Sequence, residues 1–171
     1  MIDTAFATAT IDDAPEIAVL RNTVTEHLTQ RYGIGHWSAA VTVKSVLSGM
    51  RHARIYVCRD GAVIIATLRL ATKRPWAIDP APFTPVRRPL YLTDMAVHPD
   101  FQRLGVGRLL MSNAEKEAMQ RGGDAIRLDA YDADAGAGEF YAKCGYTEVG
   151  RVNYRGTPLV YFEQVLRERV A

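Results

Sequence analysis

The chain has 171 residues, 48% apolar and 23% charged, as in a globular protein with room for one sizeable core but not for two ordinary domains. Its 21 Lys and Arg against 19 Asp and Glu leave a formal charge of +2, with no basic run that would make a nucleic-acid stripe and no apolar run that would span a bilayer. The first residues hold acids and no basic leader, which predicts no signal peptide, and two lone cysteines, Cys58 and Cys144, make neither a disulfide framework nor a metal cluster; a cytoplasmic protein is expected.

In chain order, Ala5 to Ile11 alternate loosely and predict a first strand. Asp13 has the place of a helix cap, with Glu16 three residues on to reach back to it. Ile17, Leu20, Val24 and Leu28 then recur at steps of three and four, an amphipathic helix to about Gln30. The two glycines in Arg31 to Trp37 end it in a loop, and Ser38 is placed to cap a second helix with Ala40, Val43, Leu47 and Met50 on its apolar face. Arg54 to Arg59 and Ala62 to Ala71 read as a hairpin about Asp60-Gly61, with Cys58 a small core residue inside it. Thr72 to Pro89 contains Pro75, Pro80, Pro82, Pro85 and Pro89 and predicts a long irregular loop of the kind that often carries function.

Tyr91 to Val97 is apolar and rich in β-formers, a largely buried strand that His98-Pro99-Asp100 breaks. Beyond Phe101 the period becomes helical, with Leu104, Leu109, Met111, Ala114 and Ala118 marking a helix to about Arg121 that Gly122-Gly123 stops. Ala125 to Ala130 is a short strand, with Ile126, Leu128 and Ala130 on one face and Arg127 and Asp129 on the other. A strand–helix–strand of this length implies a right-handed crossover and parallel pairing. Asp134 to Cys144 reads as a helix that Gly145 ends, although Gly136 and Gly138 each cost it roughly 1 kcal/mol. Thr147 to Tyr154 and Pro158 to Leu166 close the chain as a hairpin about Arg155-Gly156. The order predicts an α/β fold: a mixed, mostly antiparallel sheet of about seven strands with a parallel pair at its centre and helices on both faces.

The junction Gln102-Arg103-Leu104-Gly105-Val106-Gly107-Arg108 draws the chemistry. Two glycines let a ligand approach the backbone, and a helix start presents unpaired N–H groups and a positive dipole end that favour an anion such as a pyrophosphate. A dinucleotide fingerprint would need a third glycine where Leu110 stands, and a Walker loop would need Gly-Lys-Ser/Thr where Gly107 is followed by Arg108 and Leu109. The stretch resembles instead the acyl-CoA loop of the GNAT superfamily of N-acetyltransferases, Gln/Arg-x-x-Gly-x-Gly/Ala, which Gln102, Gly105 and Gly107 match. A second likeness lies in Leu128 to Tyr146, where Phe140, Tyr141, Lys143, Gly145 and Tyr146 fit that family's aromatic-Tyr-x-Lys-x-Gly-aromatic segment. One departure is Asp134, which stands where the family has an asparagine that holds the pantetheine arm or the helix start.

The resemblance implies one N-acetyltransferase domain over the whole chain, with acetyl-CoA as co-substrate and no metal, in which a primary amine attacks the thioester directly. By it, the backbone of Met95, Ala96 and Val97 meets the pantetheine and thioester, and Gln102, Arg103, Leu104, Gly105, Val106, Gly107 and Arg108 the pyrophosphate, with Asp134 either touching the cofactor or only capping its helix. Tyr141 protonates or hydrogen-bonds the leaving thiolate. Asp94, alone in an apolar strand, and Asp129 compete as the base, each with a structural salt bridge as its other reading, and a water relay is the third route. Tyr32, His36 and Trp37 are candidates to line the acceptor site, whereas His98 and His27 read as structural. The acceptor is a small-molecule or a protein amine, with no nucleic acid or membrane as partner and a homodimer left open. A catalytically silent acyl-CoA-binding regulatory module is the reading from another class.

Overall fold

The computed structural model describes residues 4–166. Its elements follow as β1 (Thr4–Thr8), α1 (Ala14–Tyr32), α2 (Val43–His52), β2 (Arg54–Asp60), β3 (Val63–Ala71), β4 (Pro89–Val97), α3 (Val106–Gln120), β5 (Ala125–Tyr131), α4 (Gly138–Lys143), β6 (Thr147–Tyr154) and β7 (Thr157–Val165). The strands hydrogen-bond in the order β1-β2-β3-β4-β5-β7-β6, a mixed seven-stranded sheet whose one parallel pair is β4 with β5. That is the expected consequence of a strand–helix–strand crossover. Among the described residues no helix is long and apolar enough to cross a membrane. By internal contacts the described chain forms two compact units, 4–70 with 94–113, and 71–93 with 114–166.

In the first unit α1 and α2 bury Ile17, Leu20 and Val46 against Ile55, Val57 and Ile64 of the hairpin β2–β3. Cys58 is fully buried there, as its sequence context predicts, and burial pushes its thiol up, away from reactivity. Two caps differ from expectation. A 3₁₀ turn over Ile11–Asp13 precedes α1, so Asp13 accepts from the Thr10 N–H at 2.8 Å and leaves the helix uncapped by its side chain. Glu16 reaches outward to the Ile64 N–H at 2.6 Å and ties the helix to the hairpin. Ser38 does not cap α2: it accepts from the Gly35 N–H at 3.0 Å within its own 3₁₀ turn, and Thr42 caps the helix by accepting from the Ser45 N–H at 3.1 Å. The apolar face of α2 turns accordingly, with Val46 buried and Val43 at the surface.

Helix α3 ends where the sequence predicts and keeps Met111, Ala114 and Ala118 of the predicted face but not its two leucines. Val106, Leu110, Met111, Ala114 and Ala118 are buried, while Leu104 and Leu109 are 58% and 38% exposed. The spacing of four from Val106 to Ala118 selects the stripe, and the leucines flanking the turn stay outside it. At its end Gly122 and Gly123 donate back to Met119 and Ala118 at 2.9 and 2.8 Å, stopping the helix as read from the sequence.

In the second unit β5 pairs antiparallel with β7, setting Arg127 opposite Glu163, Leu128 opposite Phe162, and Asp129 opposite Tyr161. Residues opposite each other point to the same face, so the pair has two surfaces of different character. Helix α4 lies over the apolar surface, where Gly138 comes close to Phe162 and Val160. This helix is shorter than expected. Residues Asp132 to Ala137 form a tight loop, in which a Cβ at Gly136 would stand 1.8 Å from the Tyr131 carbonyl oxygen. The glycine is needed for that turn, and the helix begins only beyond it.

The polar surface is covered by the irregular, proline-rich segment 72–88, whose Ile78 and Phe83 join Tyr91, Leu159 and Tyr161 in a core of their own. Three side chains of the sheet hold it. Tyr161 donates its hydroxyl to the Ala77 carbonyl and accepts from the Asp79 N–H. Glu163 accepts from the Thr84 N–H at 3.1 Å and from its hydroxyl. Arg127 donates to the Thr84 carbonyl at 2.6 Å and lies 4.9 Å over the Phe83 ring. Arg127 and Glu163 are themselves only 5% exposed, with Arg127 Nε 3.9 Å from Glu163. Removing one member of such a pair strands the other charge in the core. Glu163→Leu is therefore expected to cost about 3 kcal/mol of unfolding free energy, and Arg127→Leu in the same chain to recover part of it. Urea denaturation of both variants checks this, and equal losses would mean that the stranded charge is not the cause.

Candidate active site

The chain leaves β4 through His98, whose Nδ1 accepts from the Asp100 N–H at 3.2 Å and whose ring meets Phe101 edge-on at 5.8 Å. That is a turn-forming role. Gln102 donates its side-chain amide back to the Val97 carbonyl at 3.1 Å. Arg103 and Gly105 both have left-handed backbone, at φ 62° and 85°. The first backbone bond of α3 runs from Leu109 to the Gly105 carbonyl, so the N–H groups of Val106, Gly107 and Arg108 have no acceptor within the helix. A Cβ at Gly105 would meet nothing within 4 Å. Glycine is thus required by the turn itself, and its missing side chain leaves the backbone open from outside. Open backbone, orphan N–H groups and exposed guanidinium groups on Arg103 and Arg108 suit a bound pyrophosphate.

Asp94 interrupts β4 with φ 55°, a conformation that aspartate tolerates better than most residues. Its carboxylate is held by Arg21 of α1 at 2.8 Å and Arg69 of β3 at 3.2 Å. The parallel pairing of β4 with β5 covers Pro89, Leu90 and Tyr91 against Ala125, Ile126 and Arg127, and β4 runs on to Val97 through Met95 and Ala96 without it.

Asp129, the other acid, lies in β5 with its carboxyl raised above the usual range by burial, against which a backbone hydrogen bond acts. Tyr141, at 6% exposure, packs its ring at 6.0 Å from Phe162 and 6.2 Å from Tyr146. Its phenol is pushed well up by burial, then by the charge of Asp129 and by Cys144. Tyr146 is as deeply buried; its hydroxyl faces the Glu115 carboxyl without a hydrogen bond of ordinary geometry, and burial raises both groups. Asp134 stands in the loop before α4 and is not its cap, because the helix starts at Gly138 behind Ala137. The helix expected from Asp134 to Cys144 thus begins four residues late and leaves Asp134 outside it.

Tyr32 ends α1 with the Arg31 guanidinium 5.2 Å over its ring, while His36 and Trp37 form the following 3₁₀ turn. Trp37 donates from Nε1 to the Gly33 carbonyl at 3.1 Å and folds over Gly35, where a Cβ would lie 2.5 Å from the indole. Sequence reasoning passed over Glu115, Glu163 and Tyr161. Of these only Glu163 carried a signal, as an acid directly after the apolar run Leu159 to Phe162.

The acetyltransferase (GNAT) family model matches residues 20–146. Among curated proteins, glucosamine 6-phosphate N-acetyltransferase of Schizosaccharomyces pombe is 33% identical over 60 residues, 35% of this chain and 51% of that protein. The chain therefore spans about half the length of the curated relative it matches. Among solved structures, yncA of Salmonella typhimurium, which holds its cofactor acetyl-CoA, superposes with TM-score 0.70 at 17% identity over 98% of this chain and 96% of that one. The ribosomal-protein-S18-alanine N-acetyltransferase of Escherichia coli does so with TM-score 0.67 at 18% identity, over 98% and 99%.

The burial of Asp129 has a consequence for stability. A carboxyl raised by folding holds its proton more tightly in the folded than in the unfolded chain, so its penalty is absent in acid. Stability then falls as pH rises through the raised value. Asp129→Asn is expected to be more stable than the parent at neutral pH and to converge with it in acid, as urea midpoints at the two pH values will read. A variant less stable at neutral pH would mean that a partner stabilises the carboxylate.

Proposed function

The chain belongs to the acetyltransferase (GNAT) family, and from that premise we propose that it works as one N-acetyltransferase domain acting on a primary amine by direct transfer. The observation that carries this is the turn from Gln102 to Arg108, with its two left-handed residues, open glycine and unpaired N–H groups at the start of α3. When bound, acetyl-CoA supplies the acetyl thioester: the amine nitrogen bonds to the carbonyl carbon, the C–S bond breaks and the electron pair leaves on sulfur.

The residues of the chain serve that exchange in distinct ways. Leu104 to Arg108 hold the pyrophosphate through backbone N–H groups, with Gln102 fixing the entry of the turn and Arg103 and Arg108 adding charge. Backbone groups of Met95, Ala96 and Val97 orient the acyl arm, a role that the short pairing of β4 with β5 supports. Tyr141 gives a proton or a hydrogen bond to the departing sulfur. Its buried phenol stays protonated at neutral pH, which a donor requires. Asp129 accepts the proton of the amine, directly or through water, and its raised carboxyl suits a base better than one held by two guanidinium groups. Asp94 serves the backbone, with its charge spent on Arg21 and Arg69. Tyr32, His36 and Trp37 border the path of the acceptor, and Asp134 shapes the loop ahead of α4.

Thiol release from acetyl-CoA against a panel of amines tests the proposal. Tyr141→Phe keeps the ring, so turnover is expected to fall by roughly 10²-fold where chemistry limits the rate, with little change in acetyl-CoA affinity. Gly107→Glu is expected to abolish acetyl-CoA binding in a folded protein, read by calorimetry beside circular dichroism. Saturable binding with no thiol release for any amine would mark a regulatory module instead.

A further inference from the structure

The proline-rich segment does more than cover the sheet. Between it and the end of the hairpin β6–β7 lies a cavity of about 500 Å³, lined by Arg74, Trp76, Asp79, Asn153, Tyr154 and Tyr161 among others. That volume fits a small molecule. The position of the segment is fixed beneath the cavity, since the Tyr161 hydroxyl bonds both Ala77 and Asp79 and the neighbouring Ile78 is fully buried. Above this anchor Trp76 is 83% exposed, a large indole held out from a tethered backbone. Such a ring is a stacking surface for whatever enters. Arg74 donates one N–H to the Ile78 carbonyl, which leaves most of its five-donor fork unspent among the described residues. Asp79 spends Oδ1 on the Ala81 N–H at 3.0 Å and turns the segment. Tyr161 also stands opposite Asp129 in the β5–β7 register, so cavity and carboxylate share one face of the sheet.

We infer that this cavity receives the acceptor as a small amine bearing an anionic group, which Arg74 binds while Asp129 takes the proton of the amine. The inference rests on the acetyl-transfer reading above, and its substrate class follows from the guanidinium. A carboxylate or phosphate is the partner that matches that planar fork.

Matched probes test it: glucosamine 6-phosphate against glucosamine, and phenylalanine against phenethylamine, with a short peptide amide as a protein-like amine. Thiol release is measured beside the quench of Trp76 fluorescence, identified by its absence in Trp76→Phe. The anionic member of each pair is expected to have the higher kcat/KM by roughly tenfold or more, the scale of one charge-assisted bond. Arg74→Gln should bring the two members within about twofold of one another, and Arg74→Lys should restore part of the gap. Equal rates within the pairs, or a preference that survives Arg74→Gln, overturns the inference and leaves acetyl transfer standing. So does a peptide amide that outperforms the small amines with no response to Arg74. Quench by the anionic probes, lost in Arg74→Gln but without thiol release for any amine, upholds the cavity and removes the transfer reading. The absence of both quench and release overturns the inference.

Discussion

A carboxylate clamped by two arginines decides how the central strand runs. At Asp94 the backbone turns left-handed, which costs a non-glycine residue on the order of 1 kcal/mol or more, and Arg21 and Arg69 hold it there. One irregular residue upsets the alternation of a strand. Burial along β4 shows it: Leu90, Tyr91 and Leu92 are all buried, the next three residues are half-buried, and Ala96 is buried again. The strand pairs with β5 from Pro89 to Tyr91 and runs on to Val97 without that partner. This stretch leads the chain to His98 and the turn before α3, so an ion pair among α1, β3 and β4 fixes backbone ahead of a loop to which it contributes no atom.

The second unit uses charge in another way. Burying Arg127 and Glu163 is expensive, and their mutual approach of 3.9 Å repays little by itself. The return comes through Thr84, whose N–H, hydroxyl and carbonyl all bond to the pair. A segment without helix or strand thereby acquires a fixed position, with its Ile78 and Phe83 packed in a hydrophobic core with Tyr161. Irregular backbone tied at several points presents its side chains from a defined position.

Much of this was legible in the sequence because it follows from period and from backbone chemistry. The strand-to-helix change of period after Phe101, the helix stops at Gly122 and Gly145, and the hairpin about Arg155-Gly156 all depend on local rules and stand in the structure. What could not be read depends on partners far along the chain. Asp13 and Glu16 have the spacing of a cap, yet Arg59 and Ile64, over forty residues away, claim their oxygens. The same holds for Asp94, whose solitary charge was visible while its two arginines were not, and for Glu163, whose partner Thr84 lies 79 residues away. Helix α4 fell short for a steric reason: only the folded loop brings the Tyr131 carbonyl over Gly136.

The proline-rich segment separates two kinds of evolutionary freedom. Its hold on the sheet resides in Tyr161, Glu163 and Arg127, which belong to strands, and in main-chain atoms or the small Thr84 on the segment itself. Residues outside these tethers, such as the exposed Trp76, can be exchanged without disturbing the strands that carry Asp129. Prolines have already restricted the unfolded segment, so a new sequence there costs less ordering entropy than an ordinary loop would. The side chains that hold the segment and the side chains it exposes are therefore different sets, and either can be varied while the other is kept.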